Sequence, residues 1–540
     1  MFLPGQSRLP PVDRDEVRYA QSVTQMLETG DFINIRYQGY ARYLQPAGIY
    51  WLQAASVSLL STPQARAIWA YRVPSLLAAC AAVLLTAYVG SVLFGPAAGF
   101  GAALMMAFCV LLGFEARMAK IDASLLAVTL LAQAMLARVW TMRGRPMPHP
   151  RLTAALFWAA LGVGLMLKGP IILLVAGTTV LGVGLSSREW AWLRRLHAGW
   201  GVLITLAIAL PWLVAIGVVS HGAFFTKAVG HNIGDKLKGG EQGHGQPPGY
   251  YLALFSATFW PGALALVMAL PWAWRERRRD AVRFCTWWVI PAWLVFEAIP
   301  TKLPHYVLPL YPALACLAAA AALAPQGWAR PRGWRWAGAA YGVLWLALGV
   351  ALAFLGPVAL ARIQHASDPL ATALALAAAL AVLAAAGLLL ARRRGWALGA
   401  AGVGAALAAT NVYAVSAPAL TSVFVSPRIA AEARRVAPCG AATVFASSAY
   451  SEPSVVFLTR TETALVGPAR AADFVAADRR CRLALVDARQ LPAFAAEAAH
   501  DGFTPRPVGR VEGRNYSTGK RLDLTFYAGS PGKIGPPPAP

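Results

Sequence analysis

The chain is built from long apolar segments that alternate with short polar connections. A helix of about 20 apolar residues is needed to cross the ~30 Å hydrocarbon core of a bilayer. About twelve segments meet this criterion, and they lie at 72–94, 97–114, 123–141, 153–168, 170–186, 199–219, 250–273, 285–299, 305–324, 337–357, 370–391 and 396–416. The pattern predicts an α-helical polytopic membrane protein.

The longest polar stretch precedes these segments and runs from Asp13 to Gln53. Its first half predicts an amphipathic helix, because one apolar face recurs at helical spacing. The residues of this face are Val17, Ala20, Val23, Thr24 and Leu27. Asp13 and Glu16 suit the start of the helix, and Gly30 suits its end.

A region of mixed composition begins near residue 417. Short apolar runs such as ATVFASS and RLALVDA predict buried strands, and they alternate with helical patterns. This alternation predicts an α/β domain of about 110 residues followed by a disordered Pro-rich tail. The predicted regions are 1–71 with the amphipathic helix, the transmembrane domain 72–416, the α/β domain 417–530 and the tail 531–540.

Composition excludes a soluble globular protein. Hydrophobic residues make up 58% of the chain and charged residues only 13%, which fits many membrane-spanning segments. The net charge of +24 does not call for a nucleic acid, because arginine accumulates in the cytoplasmic loops of membrane proteins.

Five arginine-rich loops determine the predicted orientation. They are 138–151, 188–195, 275–283, 330–335 and 392–394, and the predicted spans place all five on one side. The positive-inside bias makes that side the cytoplasm. The loop 1–71 and the chain after 417 then face outward, on the same side as every candidate functional residue below.

The six cysteines indicate no catalytic or metal-binding motif. Cys80, Cys109, Cys285 and Cys316 fall in apolar segments and are expected to be buried. Cys439 and Cys481 lie in the C-terminal region, where both a disulfide and two free thiols are compatible with the sequence. No cysteine or histidine cluster has metal-ligand spacing. We therefore expect no cofactor and identify no metal ligands, while a metal requirement stays open.

Two motifs resemble a known family. One combines D-E-x-R-Y-A, G-D-aromatic and R-Y-x-x-P-x-G-I-Y-W-L-Q within residues 15–53, and the other is TKLPHYVLPLYP at 301–312. They resemble bacterial polytopic membrane glycosyltransferases related to protein mannosyltransferase and to the lipid A aminoarabinose transferase, which have the C-type glycosyltransferase fold. The resemblance implies an inner-membrane enzyme that takes a sugar from a polyprenyl-phosphate carrier.

The function expected from this resemblance is inverting sugar transfer at the periplasmic face. The acceptor would be lipid A, lipopolysaccharide or another envelope molecule. Two alternatives stay open: a non-catalytic relative that binds polyprenyl phosphate, and a polytopic transporter. The transporter is less favoured, because the spans contain few acidic residues and no internal repeat is evident.

Such a reaction needs a carboxylate near the acceptor and cations near the phosphate. Asp15 and Glu16 in the first motif and Asp122 at the mouth of a span are the candidate catalytic residues. Each of these residues could instead have a structural role. Acidic residues also cap helices, and Asp122 could form an interfacial ion pair with Lys120 or Arg117.

The candidate donor-binding residues are basic or aromatic and lie on the predicted outer face. They are Arg18, Arg42, Tyr43, Lys120, Lys168, His244, Lys302, His305 and Tyr306. The resemblance extends to the K-G-P at Lys168 and to the H-x-x-P-P-x-Y-Y that begins at His244. An interfacial belt of aromatic residues and snorkelling lysines is the alternative explanation.

Two departures from the family pattern stand out. The aminoarabinose transferases carry Glu-Lys before the proline of the first loop, where this chain has Leu44 and Gln45. Arg42 is expected to supply the missing charge, and the change argues against aminoarabinose as the sugar. The family also has a spanning helix before this loop, so we expect a further helix upstream of Met1 and about thirteen spans in all.

Overall fold

The computed structural model describes residues 1–12, 14–231, 245–325, 328 and 332–529. Its N-terminal region contains helix α1 (Arg14–Thr29), a small ribbon of strands β1 (Arg36–Tyr37) and β2 (Tyr40–Ala41), and helix α2 (Gly48–Leu60). Helix α1 buries the predicted face at Val17, Ala20, Val23 and Thr24, while Leu27 is half-buried. It ends before Gly30, whose positive φ of 73° suits a residue without a side chain.

The middle of the chain is helical. In chain order its helices are α3 (Ile68–Phe94), α4 (Pro96–Ala107), α5 (Val110–Glu115), α6 (Asp122–Thr141), α7 (Pro150–Lys168), α8 (Ile171–Ser187), α9 (Ala198–Val219), α10 (Tyr250–Thr258), α11 (Gly262–Arg275), α12 (Asp280–Ala298), α13 (Tyr311–Leu323), α14 (Arg332–Ala359), α15 (Pro369–Leu390) and α16 (Arg394–Thr410). A 3₁₀ turn, Pro304–Leu310, leads into α13.

Eight helices of the described chain are long and apolar enough to cross a membrane, or nine if α10 and α11, bent by 119°, form one broken span. Every predicted apolar segment contains helix, yet about twelve regular spans were predicted. The difference arises because α4 stops after 12 residues, α8 has 17 residues, and α12 carries Asp280, Arg283 and Glu297. Apolar length in the sequence therefore overstates helix continuity.

Three of the basic loops meet at one end of the bundle. The Arg143 guanidinium lies 2.6 Å from Glu189 and 2.7 Å from Asp280. Arg195 donates to the Met142 carbonyl at 2.6 Å. Asp122, at the other end of the 20-residue helix α6, is thus about 30 Å away along the helix axis.

The C-terminal part forms a five-stranded mixed sheet packed against helices. Its strands are β3 (Val444–Ser447), β4 (Ala464–Leu465), β5 (Arg482–Asp487), β6 (Pro505–Arg514) and β7 (Arg521–Gly529), in the order β4-β3-β5-β7-β6. Strand β3 pairs parallel with β4 and β5, and the remaining pairs are antiparallel. The accompanying helices are α17 (Val425–Arg435), α18 (Pro453–Leu458), α19 (Pro468–Ala476) and α20 (Leu491–His500).

This sheet region docks on the N-terminal helix. Arg14 makes two hydrogen bonds, of 2.8 and 2.7 Å, to the carboxylate of Glu452. Gln21 donates to the Thr461 hydroxyl at 2.9 Å. Apolar side chains of α1, α2, α6 and α9 pack beneath in one buried cluster with Phe457. Helix α1 is therefore fixed from both sides.

Candidate active site

Asp122 lies at the centre of a charged cluster built from helix ends. It is the first residue of α6, and Lys168 is the last residue of α7. The Lys168 Nζ donates to Asp122 Oδ1 at 2.5 Å, and only 6% of the Asp122 side chain is exposed. Burial of this carboxylate costs little only because a cation faces it directly.

His305 stands on the other side of Asp122. It lies in the 3₁₀ turn before α13, with Nε2 3.6 Å from Asp122 Oδ2 and Nδ1 3.4 Å from Glu115 Oε1. Lys120 Nζ approaches the same Glu115 oxygen at 3.8 Å. Tyr306 completes the cluster, with its ring 5.1 Å from Lys168 Nζ. These side chains together form the Asp122 cluster.

The Asp122 cluster also contains a possible metal-ligand set. Glu115, Asp122 and His305 each offer a ligand atom, and these atoms lie within 4.8 Å of one another. The sequence predicted no such set, because the residues are far apart in the chain and only folding brings them together.

Asp15 has a different environment. Half of its side chain is exposed (49%), in contrast to Asp122. Arg18 lies 3.4 Å away and Arg42 3.9 Å away. Arg42 is itself buried and donates to the Tyr50 hydroxyl at 3.2 Å. Asp15 is thus an accessible carboxylate whose charge two guanidinium groups stabilise.

Tyr19 is close enough to both carboxylates to feel their charges. Its ring is 5.3 Å from that of Tyr50 and faces the Arg42 guanidinium at 5.2 Å. Burial raises the pKa of Tyr19 well above its usual range, and the charges of both Asp15 and Asp122 raise it further, although Arg42 opposes them. Both carboxylates are therefore close to one phenol, which stays protonated.

Glu16 does not resemble a reacting group. It is fully buried, and Arg72 contacts both of its oxygens, at 2.7 and 3.1 Å. The backbone N–H groups of Ala119 and Val12 also donate to it, at 3.0 and 3.1 Å. This geometry favours a structural role for Glu16, because its carboxylate oxygens already accept these hydrogen bonds, and its catalytic role stays a prediction.

Arg72, in α3, is the other member of this buried ion pair. All five of its N–H donors are used, two on Glu16 and the others on the carbonyls of Gln6, Leu9 and Pro10. The pair joins α1, which carries Asp15, to the segment before Asp122. It thereby sets the relative position of the two candidate carboxylates.

Three predicted donor-binding residues remain. Lys302 is buried and donates to the carbonyls of Gln246 and Ile299, both at 2.8 Å, so it fastens the chain after residue 245. The Tyr43 hydroxyl donates to Asn34 at 2.9 Å, and its ring packs against Phe224. These contacts favour structural roles for both. His244 lies outside the described residues.

Sequence reasoning missed Arg72 and ranked Glu115 below Asp122 as a functional candidate. Arg72 is a charged residue at the mouth of a predicted span, which is the same signal that identified Asp122. Glu115 is seven positions before Asp122 in the motif E-A-x-x-A-x-x-D, but its contact with His305 had no signal in the sequence.

Comparison with known proteins shows which families this chain resembles. Residues 45–214 match the dolichyl-phosphate-mannose-protein mannosyltransferase family. An undecaprenyl phosphate-alpha-4-amino-4-deoxy-L-arabinose arabinosyl transferase of Pseudomonas paraeruginosa is 28% identical over 307 residues, which cover 56% of this chain and 54% of that protein. The chain thus spans about half the length of the curated relatives it matches.

Solved structures extend the likeness to nearly the whole chain. ArnT from Cupriavidus metallidurans, in the apo state and bound to undecaprenyl phosphate, superposes with a TM-score of 0.70 in both cases. The sequence identity is 19% and 20%, and the match covers 97% of this chain and 95% of ArnT.

The fold and the charged ends of its helices define a polytopic membrane protein with the ArnT architecture. Part of the sequence is similar to the protein mannosyltransferases and to the aminoarabinose transferases, and the fold as a whole is similar to that of ArnT. The resemblance found in the two sequence motifs is confirmed.

Proposed function

We propose that this protein is an inverting glycosyltransferase of the inner membrane that uses an undecaprenyl-phosphate-linked sugar. The observation that carries the proposal is the Asp122 cluster, in which Lys168, His305 and Tyr306 converge on one buried carboxylate. Phosphate binding needs such convergent donors. The names of the relatives and the lipid bound in the ArnT structure support the choice of donor.

In this mechanism Asp122 organises the cations and does not react. Its carboxylate faces Lys168 at 2.5 Å and His305 at 3.6 Å, so it holds both groups ready for the leaving phosphate. As the bond between the sugar C1 and the phosphate oxygen breaks, negative charge grows on that phosphate. The Lys168 cation is already in place and stabilises this charge without reorganisation.

Asp15 is the group proposed to meet the acceptor. Being half exposed, it can accept the proton of an acceptor hydroxyl while the acceptor oxygen bonds to C1 from the face opposite the phosphate. The sugar inverts, undecaprenyl phosphate leaves, and the proton stays on Asp15. Arg18 and Arg42, 3.4 and 3.9 Å away, orient the Asp15 carboxylate.

The site is placed at the periplasmic face, with the sheet region 425–529 on the same side. The docking of Glu452 on Arg14 supports this arrangement, as does the gathering of the arginine loops at the other end of α6. Lipid A or another envelope molecule is the proposed acceptor. The sugar is left to experiment, since Leu44 and Gln45 depart from the aminoarabinose transferase pattern.

The test is sugar transfer in liposomes containing the purified protein and a panel of undecaprenyl-phosphate sugars, aminoarabinose included. Turnover with one donor, abolished in Asp15→Asn, would establish the enzyme and identify the sugar. Binding of undecaprenyl phosphate without turnover of any donor would favour the non-catalytic relative. Sugar flux across the bilayer without cleavage of the donor would favour the transporter.

A further inference from the structure

A groove with a volume of about 510 Å³ lies between helices α4, α11, α13, α14 and α16. Its walls are mostly alanine, glycine and leucine, and Arg394 is the one charged residue among the described residues that line it. Small side chains leave this space open, and an empty apolar cavity forfeits van der Waals contacts. An apolar ligand that entered the groove would restore them.

The groove lies in the half of the bundle that is next to the arginine loops. Phe94, the last residue of α3, has its ring 5.9 Å from the guanidinium of Arg279 in one of these loops. Helix α4 begins directly afterwards at Pro96, and its part of the groove wall runs from Ala97 to Met105. This wall is about 12 Å long. One leaflet contributes about 15 Å of hydrocarbon, so the groove extends through most of one leaflet.

The inner end of the groove is closed by aromatic side chains. Trp345 donates its indole N–H to the Pro261 carbonyl at 3.0 Å, and its ring stacks on that of Trp260 with 5.6 Å between the ring centroids. Both Trp345 and Pro261 line the groove. Because the indole N–H of Trp345 is already bonded, this end suits an apolar chain.

The outer end of the groove carries positive charge. Arg394, the first residue of α16, donates to the Ala322 carbonyl at 2.8 Å, and its guanidinium lies 4.6 Å from the centre of the Trp328 ring. These contacts fix the plane of the guanidinium, whose fork of donors matches phosphate oxygens. The preceding Arg393 is exposed. Trp396 is exposed as well, as is typical of tryptophan at a membrane interface.

We propose that this groove binds one anionic phospholipid from the leaflet on the side of the arginine loops. An acyl chain fills the apolar groove, and the headgroup phosphate lies at Arg393 and Arg394. Basic pockets between transmembrane helices on the cytoplasmic side bind anionic headgroups in this way. A zwitterionic lipid could fill the same space, but its own ammonium group offsets the attraction of its phosphate to the arginines.

The prenyl chain of an undecaprenyl carrier is a less favoured occupant. The Asp122 cluster lies at the other end of the bundle, so a carrier bound there would bring no anion to Arg394. An anionic phospholipid supplies both the apolar chain and the charge that the two ends of the groove require. The inference is independent of the proposed function, because it concerns a lipid that takes no part in sugar transfer.

The test is native mass spectrometry of the full-length protein in detergent, titrated with phosphatidylglycerol or with phosphatidylcholine of the same acyl chains. We expect one phosphatidylglycerol to bind roughly fivefold more tightly than phosphatidylcholine, the contribution of one arginine beside an anionic headgroup. Arg394→Gln should remove most of this preference. Arg188→Gln is the matched control, since it removes a positive charge from an exposed loop outside the groove and should keep the preference.

A second variant tests the location of the lipid. Ala265 lines the groove, so Ala265→Phe should weaken the binding of both lipids by filling the space that an acyl chain needs. Ala377→Phe, at an exposed position of α15, is its control and should bind like wild type. Melting temperatures in detergent establish that the variants are folded, and Arg394→Gln decides alone if Ala265→Phe is not.

Three results would overturn the proposal. One is equal binding of the two phospholipids by wild type, and another is a preference in Arg394→Gln as large as that of wild type. The third is displacement of the bound phosphatidylglycerol by an equal concentration of undecaprenyl phosphate, which would assign the groove to the polyprenyl carrier.

Discussion

At the scale of single residues, the two candidate carboxylates differ in what surrounds them. Asp15 is 49% exposed beside two arginines, whereas Asp122 is 6% exposed between Lys168 and His305. An exposed carboxylate can exchange protons with an acceptor. A buried carboxylate that is already paired instead positions the groups that contact it. The two substitutions should therefore affect different kinetic constants.

For Asp15→Asn we expect kcat to fall by about 10²- to 10⁴-fold, the usual contribution of a general base, with donor affinity nearly unchanged. Asp122→Asn should instead weaken donor binding, because Lys168 and His305 lose the charge that positions them. Steady-state kinetics together with equilibrium binding of undecaprenyl phosphate would distinguish the two. Equal effects of both variants on donor affinity would contradict this division.

Arg72 provides a second prediction at this scale. Arg72→Lys keeps the charge but removes the planar fork that reaches Glu16 and three carbonyls. Each buried acceptor that loses its donor costs about 1–3 kcal/mol, so we expect a lower melting temperature and reduced activity. Thermal unfolding in detergent is the measurement. Arg188→Lys, at an exposed loop position, is the control and should melt like wild type.

Much of the Asp122 cluster could be predicted from the sequence. Charged residues at the ends of apolar segments are unusual enough that Asp122, Lys168 and His305 were identifiable one by one. Their pairing was not, since Glu115 and His305 are distant in the chain and carry no local pattern that links them. Glu16 shows another limit, because a carboxylate in a motif can equally well be buried in a structural ion pair, here with Arg72.

At the scale of elements, the contact between α1 and the C-terminal sheet region holds the sheet region on the N-terminal helix. Arg14 and Glu452 form it through two hydrogen bonds. Burial alone would raise the pKa of Glu452, but the hydrogen bonds and charge of Arg14 outweigh burial and leave it lowered. A lowered pKa means that the ionised form is favoured in the docked state.

This predicts acid-sensitive docking. The stabilisation by Glu452 is fully present above the unfolded pKa of about 4.3 and is lost as the pH falls through the lower folded value. We expect protease cleavage between α16 and α17 to increase over that acidic range in wild type. In Glu452→Gln the cleavage should be high already at neutral pH and should change little with acid. A pH-independent wild type would exclude this role.

The helices also show which structural features sequence periodicity predicts and which it does not. Apolar segments identified the helices of the membrane domain, and the face of α1 was correct to the residue at Val17 and Val23. Breaks were missed, such as the 119° bend between α10 and α11. Such a bend changes the direction of the chain without changing its hydrophobicity, so periodicity does not report it.

At the scale of the whole molecule, a disulfide links two parts of the C-terminal region. Cys439 and Cys481, which the sequence left open, are bonded across 42 residues, and the four remaining cysteines are free. A cross-link of this span stabilises a fold by about 3–4 kcal/mol in the chain-entropy model. Cys439→Ser with Cys481→Ser should therefore lower the melting temperature of the sheet region.

Thiol counting offers a direct check. Alkylation of the denatured, unreduced protein should modify four cysteines, and prior reduction should raise the number to six. Six modified thiols without reduction would show that the bond is absent in the native protein.

The ion pair between Arg14 and Glu452 has a consequence for the synthesis of the protein. The two residues are 438 positions apart, and a ribosome adding 5–20 residues per second needs about 20 to 90 seconds to go from one to the other. During that interval a nascent chain has the helix that carries Asp15 but not the partner that secures it. If the proposed function holds, an enzyme molecule would become active only after its translation is complete, so translation time would keep incomplete copies inactive.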